Sequence, residues 1–232
     1  DASDLGATAR EAEPDVWQVA VAPADGQDRD AFDTDLFVAR KRIEHRVDGV
    51  AEAADAPDFS HPDVDDAAAE RFYVCSLDRQ TLVYKGLLKG EQVRSYYQDL
   101  TDDRIRSTFV MVHERFSTNT LGAWHLAHPY RNIIHNGEFN TLRGNVNWMR
   151  ARETEMDAEA FDVDDVRPVI DDPEQSDTAS VDNTLELLLE SGRDLPHALR
   201  TLVPEAWRAD DAMSGDRRDF YDYHASLVEP WD

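Results

Sequence analysis

The chain has 232 residues, with 49 acidic against 24 basic side chains and a formal net charge of −25. Such a balance excludes a nucleic-acid binder, which needs a basic stripe. Disorder, the other reading of high acidity, is opposed by an aromatic content of 9% and by several periodic segments. Lys41, Lys85 and Lys89 are the only lysines. Acid-rich, lysine-poor composition fits an organism with a salty cytoplasm, because at molar salt the Debye length falls to roughly 3 Å and surface carboxylates repel weakly.

In chain order, the N-terminal run has neither the basic nor the apolar region of a signal peptide. Residues 16–22 alternate like a strand. Residues 33–47 place Leu36, Phe37, Ile43 and Val47 at helical spacings. Residues 51–70 are acidic, Ala-rich and broken by proline, and read as a surface excursion. Residues 71–86 read as two strands about a turn, and 90–100 as a short helix. Residues 107–118 begin as a buried strand and turn polar. Residues 130–140 read as a hairpin, and 141–153 as a helix starting from a Thr cap. Residues 157–177 are predicted to form another acidic loop, followed by helices at about 180–191, 194–202 and 217–228. The sequence thus predicts an α/β (α+β) mixture in one domain spanning residues 1–232. No apolar run approaches the roughly 20 residues that cross a bilayer, so a cytoplasmic protein with no membrane partner is expected. Cys75 is the only cysteine, which excludes an internal disulfide and a multi-cysteine zinc site.

Several groups could carry chemistry. His113, His125, His128 and His135 lie close in sequence, but no carboxylate or cysteine completes a metal pattern, and core or hydrogen-bonding histidines are the plainer reading. The aspartate clusters lack the spacing of a calcium loop. Arg115, at the end of a strand, offers a fork of donors suited to a carboxylate; a surface ion pair is the alternative. Asn136 and Gly137 place a side-chain amide beside an unobstructed backbone N–H, a pair that could hold an oxyanion. The alternative is a type I′ turn, for which Asn-Gly is the leading signal. Asp177 ends an acidic loop just before a helix and could receive an ammonium group; the alternative is an N-terminal cap.

Taken together, these stretches resemble a known family. The run "HERFSTNTLGAWHLAHPYRNIIHNGEFNTLRGNVNWMRARE" closely resembles the glutaminase domain of the glutamate synthase large subunit, a class II glutamine amidotransferase. "FYVCSLDRQTLVYKGLLKGEQVRSYYQDL" is similar to that family's paired strands and following helix. "SDTASVDNTLELLLESGRDLPHALRTLVPEAW" and "FYDYHASLVEPWD" are similar to its later helices. The likeness covers nearly the whole chain.

The resemblance implies an N-terminal-nucleophile hydrolase fold, a four-layer α-β-β-α sandwich. It implies a cysteine nucleophile at the mature N-terminus whose own α-amino group is the base. That pairing is chemically sound, since an α-amino group has a pKa of about 8. It further implies that Asn136 and Gly137 form the oxyanion hole, that Arg115 binds the α-carboxylate of L-glutamine, and that Asp177 binds its α-ammonium. FMN and an iron–sulfur cluster are implied for the full enzyme but not for this chain. Downstream synthase domains, and an electron-donor subunit or ferredoxin, are the implied partners.

The departures are specific. Residue 1 is Asp, and Cys75 matches a strand position of the family, not its nucleophile. The family's opening strands are missing, so an incomplete sandwich is expected, together with a chain that holds substrate residues but is inactive alone. His128 replaces the family's usual Gln, and Phe139 its usual Ile. Two alternatives stay open: a non-catalytic glutamine-binding or subunit-interaction module, and another class II amidotransferase.

Overall fold

The computed structural model describes residues 4–47, 72–114, 122–170 and 175–231. Among them the regular elements are helical: α1 (Ala7–Glu11), α2 (Arg29–Val47), α3 (Gly90–Tyr96), α4 (Leu142–Glu153), α5 (Asp177–Glu190), α6 (Leu195–Leu202) and α7 (Gly215–His224). Short 3-10 turns cover Gln98–Thr101 and Val163–Asp165. The helices predicted from periodicity are all present, with ends displaced by a few residues. Helix α1 was not foreseen.

Local chemistry sets the boundaries of α5. Ser176 Oγ accepts the Ala179 N–H at 3.1 Å, a side-chain N-cap. Asp177 occupies the first turn, where the helix dipole favours negative charge. At the far end Gly192 takes a left-handed φ of 88°, and its N–H and that of Arg193 reach back to Leu189 O and Leu188 O. These crossed bonds satisfy the last carbonyls.

The main core gathers around this helix. Val181, Leu185, Leu187 and Leu188 pack with Phe37 of α2, Val146 and Met149 of α4, and Ala198 and Leu202 of α6. Val166, Val169, Ile170 and Trp231 complete the cluster. Val169 is pinned by two side chains, its N–H by Glu153 Oε1 at 2.7 Å and its carbonyl by Lys41 Nζ at 3.0 Å. The C-terminal run is tied in the same way: Trp231 N–H donates to Leu202 O at 2.6 Å, and Asn145 Nδ2 to Pro230 O at 3.2 Å. A second, smaller cluster forms around Leu5, Ala9 and Trp124. Trp124 closes it by donating Nε1–H to Ala9 O at 2.9 Å.

Two expectations need correction. On α2 the apolar spacing pointed to Ile43, yet Ile43 is 43% exposed while Arg40, Lys41 and His45 are buried. Arg40 pairs with Glu186, Lys41 Nζ donates to Val169 O and His45 Nε2 lies 3.0 Å from Pro168 O, while Arg40 Nε is buried with no hydrogen-bond partner among the described residues. The β prediction differs as well. No strand is assigned among the described residues, so the paired sheets of the sandwich are not seen there. A strand is defined by a ladder of bonds to a neighbour, and an alternating pattern supplies only the face, not the partner. Val16, Trp17, Val19 and Val21 are exposed, as are Phe109, Val110 and Val112.

Candidate active site

The loop 130–139 is laid along the N-terminal half of α5 and tied to it at successive positions. Tyr130 OH and Ser176 Oγ are 2.7 Å apart. Asp182 accepts the backbone N–H of Arg131 at 3.3 Å and of Asn132 at 2.7 Å. His135 Nε2 is 2.7 Å from Thr178 Oγ1, and the Phe139 N–H points to Asp177 Oδ2 at 3.4 Å. Asp182 is fully buried and forms an ion pair with Arg131 at 3.0 Å. Arg131 also pairs with Glu186 at 3.0 Å, and Glu186 meets Arg40. Burial pushes the Asp182 carboxyl upward, against the pull of Arg131. Sequence reading did not find this buried network. Its members lie about 50 residues apart in the chain, and "DNTLE" reads there only as helix.

Asn136 and Gly137 sit at the exposed tip of this loop. Neither has a positive φ, so the pair is not a type I′ turn, which requires φ > 0 at both central positions. A Cβ on Gly137 would meet only His135 Nδ1, at an ordinary 3.7 Å. Neither backbone strain nor crowding by the protein therefore demands glycine here. Among the described residues the Gly137 N–H meets no acceptor, and the Asn136 amide has a single partner: its Oδ1 lies 2.8 Å from His113 Nε2. Asn136 Nδ2 and the Gly137 N–H are thus donors with unused capacity at adjacent positions.

Asp177 carries the complementary charge. Its Oδ1 accepts the Thr178 N–H at 2.6 Å and Thr178 Oγ1 at 3.1 Å, and its Oδ2 faces the Phe139 N–H. Among the described residues no lysine or arginine pairs with it, whereas Asp182 and Glu186 nearby on α5 are both paired. Its carboxylate can still receive a cation. Asp177 is the first residue of α5, and the cap itself is made by Ser176. Arg115, the other substrate-binding candidate, lies outside the described residues.

Behind the loop the imidazoles are packed together. His113 stacks on His128 with centroids 4.6 Å apart, and His128 meets Tyr130 at 5.2 Å and His135 at 5.5 Å edge-on. Burial pushes His128 down to about 4, with His113, His135 and Lys85 adding to the effect. It is therefore neutral at pH 7. Lys85 Nζ donates to His125 O at 2.8 Å and lies 4.3 Å above the Tyr130 ring; burial lowers it to about 8. The described residues contain no group of His, Cys, Asp and Glu able to hold a metal ion. Cys75 is partly buried, and burial pushes its thiol up.

Among the described residues, the loop and its helix thus present a carboxylate with no lysine or arginine partner, an exposed amide and an N–H with no acceptor. The family model of the class II glutamine amidotransferases matches residues 1–232. The chain belongs to the class II glutamine amidotransferases. These form a family of N-terminal-nucleophile hydrolases. Among its relatives, the NADPH glutamate synthase large chain of Bacillus subtilis is 43% identical over 98% of this chain. The NADH glutamate synthase of Schizosaccharomyces pombe is 41% identical over 100% of it, and a chloroplastic ferredoxin-dependent glutamate synthase of Arabidopsis thaliana 38% over 100%. The chain spans 14%, 10% and 14% of those relatives' lengths, respectively. As an amidotransferase domain it thus matches a small part of much larger proteins. No helix among the described residues is long and apolar enough to cross a membrane.

Proposed function

We propose that this amidotransferase domain is the glutaminase part of a cytoplasmic glutamate synthase, releasing ammonia from L-glutamine. The observation that carries the reading is the link between Asp177 and the loop. Asp177 on α5, a carboxylate without a cationic partner among the described residues, accepts the Phe139 N–H, close in the chain to the Asn136 and Gly137 donors that meet no acceptor among those residues. Asp177 would bind the α-ammonium and Arg115 the α-carboxylate, leaving the side-chain amide of glutamine at the loop tip.

The chemistry follows from those positions. The family implies a thiolate from an N-terminal cysteine, deprotonated by its own α-amino group. The thiolate attacks the amide carbon, and the carbonyl π electrons move onto oxygen, where Asn136 Nδ2 and the Gly137 N–H hold the charge. Collapse breaks the C–N bond, and the nitrogen leaves with a proton as ammonia. Water then cleaves the thioester to give glutamate and return the thiol. Cys75, held partly buried with its thiol pushed up, is no candidate for that role. The parent reaction would convert L-glutamine, 2-oxoglutarate, two electrons and two protons to two L-glutamate. One cysteine cannot supply the thiolates of an iron–sulfur cluster, so that cluster would belong to further synthase domains; the family resemblance puts the FMN there too, fed by an electron-donor subunit or ferredoxin. Each relative's name carries its own donor.

For the fold, the four-layer sandwich stands as part of this proposal. Family membership and the alternating segments at 16–22 and 71–86 support it. A crystal structure of the full-length protein showing no facing sheets over these residues would contradict it. For the activity, ammonia release is the test. In the full-length enzyme Asn136→Ala should lower kcat by about 10²–10³ with little change in the glutamine KM, the usual effect of losing an oxyanion donor. The 232-residue chain alone should stay at background. A change in KM only, or turnover by the chain alone, would contradict this account.

A further inference from the structure

An amide is useful to an oxyanion only in one of its two orientations. A carboxamide has an acceptor on one side and two donors on the other, and a half-turn exchanges them. Asn136 must aim Nδ2 at the developing charge and its oxygen elsewhere. Its oxygen is engaged by His113, with Nε2 and Oδ1 2.8 Å apart. A carbonyl oxygen only accepts, so this bond requires the hydrogen to sit on His113 Nε2. With a bare Nε2 the favoured amide would be reversed: Nδ2 would donate to the ring, and Oδ1 would face the anion it should stabilise. The tautomer of His113 and the direction of the Asn136 amide are therefore one choice.

The ring that makes this choice is held in place. His113 stacks on His128 at 4.6 Å with an interplanar angle of 28°. His128 is wedged against Tyr130 and His135, and these two are bonded to Ser176 and Thr178 at the start of α5. A continuous set of contacts thus runs from the helix carrying Asp177 to the amide of Asn136. His113 Nε2 is engaged by Asn136 in this arrangement.

We propose that His113 is a positioning residue for catalysis, setting the amide of Asn136 so that Nδ2 and not Oδ1 meets the oxyanion. The proposal rests on the oxyanion role of Asn136. It is tested in the full-length enzyme by ammonia release from L-glutamine. His113→Phe keeps the ring and removes the donor; His113→Gln restores a donor. His113→Phe should lower kcat by about tenfold or more, up to the 10²–10³ of losing the donor outright, with the glutamine KM unchanged. His113→Gln should recover most of that loss. In an Asn136→Ala background His113→Phe should cost nothing further, since the group it orients is gone.

A merely structural role would lower kcat equally in both backgrounds, and Gln would not rescue it. Either result, or an undiminished kcat in His113→Phe, overturns the proposal. If Asn136→Ala itself leaves kcat intact, the oxyanion reading fails and takes this proposal with it. If Asn136→Ala is damaging but the His113 effects are additive, the positioning role alone fails. Should His113→Phe not fold, the ¹⁵N shifts of His113 in the unmodified enzyme decide: an Nε2–H ring is expected, and an Nδ1–H ring refutes the assignment.

Discussion

At the residue scale, three side chains singled out in the sequence are placed by contacts that the sequence did not contain. Asp177 was equally readable as a cap. The structure gives the cap to Ser176 and leaves Asp177 without a cationic partner among the described residues. Asp177→Asn keeps the shape and the acceptors but removes the charge. It should raise the glutamine KM by about 10–100-fold, in line with the roughly 1.5–3 kcal/mol of a charge-assisted bond, with a smaller effect on kcat. An unchanged KM in steady-state kinetics of the full-length enzyme would remove Asp177 from the substrate site. Asn136 and Gly137 were legible as a donor pair, but their backbone was expected to be a type I′ turn and is not. His113 was legible only as one of several histidines. Its value comes from a 2.8 Å contact with a residue 23 positions away, and no local pattern encodes such a pairing.

At the scale of elements, helices were legible because capping and periodicity are local. Ser176, Asp194 and the Leu-rich run between them mark α5 and the start of α6 without reference to the rest of the chain. The buried polar face of α2 was not legible, because Arg40, Lys41 and His45 look like solvent residues until Glu186, Val169 O and Pro168 O are placed against them. The same holds for Asp182, which joins α5 to the loop through two backbone N–H groups and Arg131. Asp182→Ala would strand those donors and weaken the compensation of a nearly buried guanidinium. It should cost about 3–5 kcal/mol, as breaking a buried pair does, and should speed amide exchange at Arg131 and Asn132. Denaturant unfolding and hydrogen exchange read the two effects. Stability close to that of the unmodified protein, with slow exchange retained, would show that the loop holds its shape without α5.

At the scale of the molecule, composition was informative and strand pairing was not. The alternating segments announce a face, as at Val19 and Val21, but the partner of a strand lies elsewhere in the chain and cannot be read locally. The net charge of −25 makes a direct prediction. Raising KCl from about 0.1 M to about 1 M, which shortens the Debye length from roughly 10 Å to 3 Å, should raise the Tm; a flat or falling curve would refute the salty-cytoplasm reading. The central claim concerns where the reacting oxygen goes. The most direct measurement is a crystal structure of the full-length enzyme trapped with a diazoketone analogue of glutamine on its nucleophilic thiol. The account predicts the analogue's carbonyl oxygen about 2.7–3.1 Å from both Asn136 Nδ2 and the Gly137 nitrogen, with its ammonium on Asp177. An oxygen directed away from that pair would contradict it.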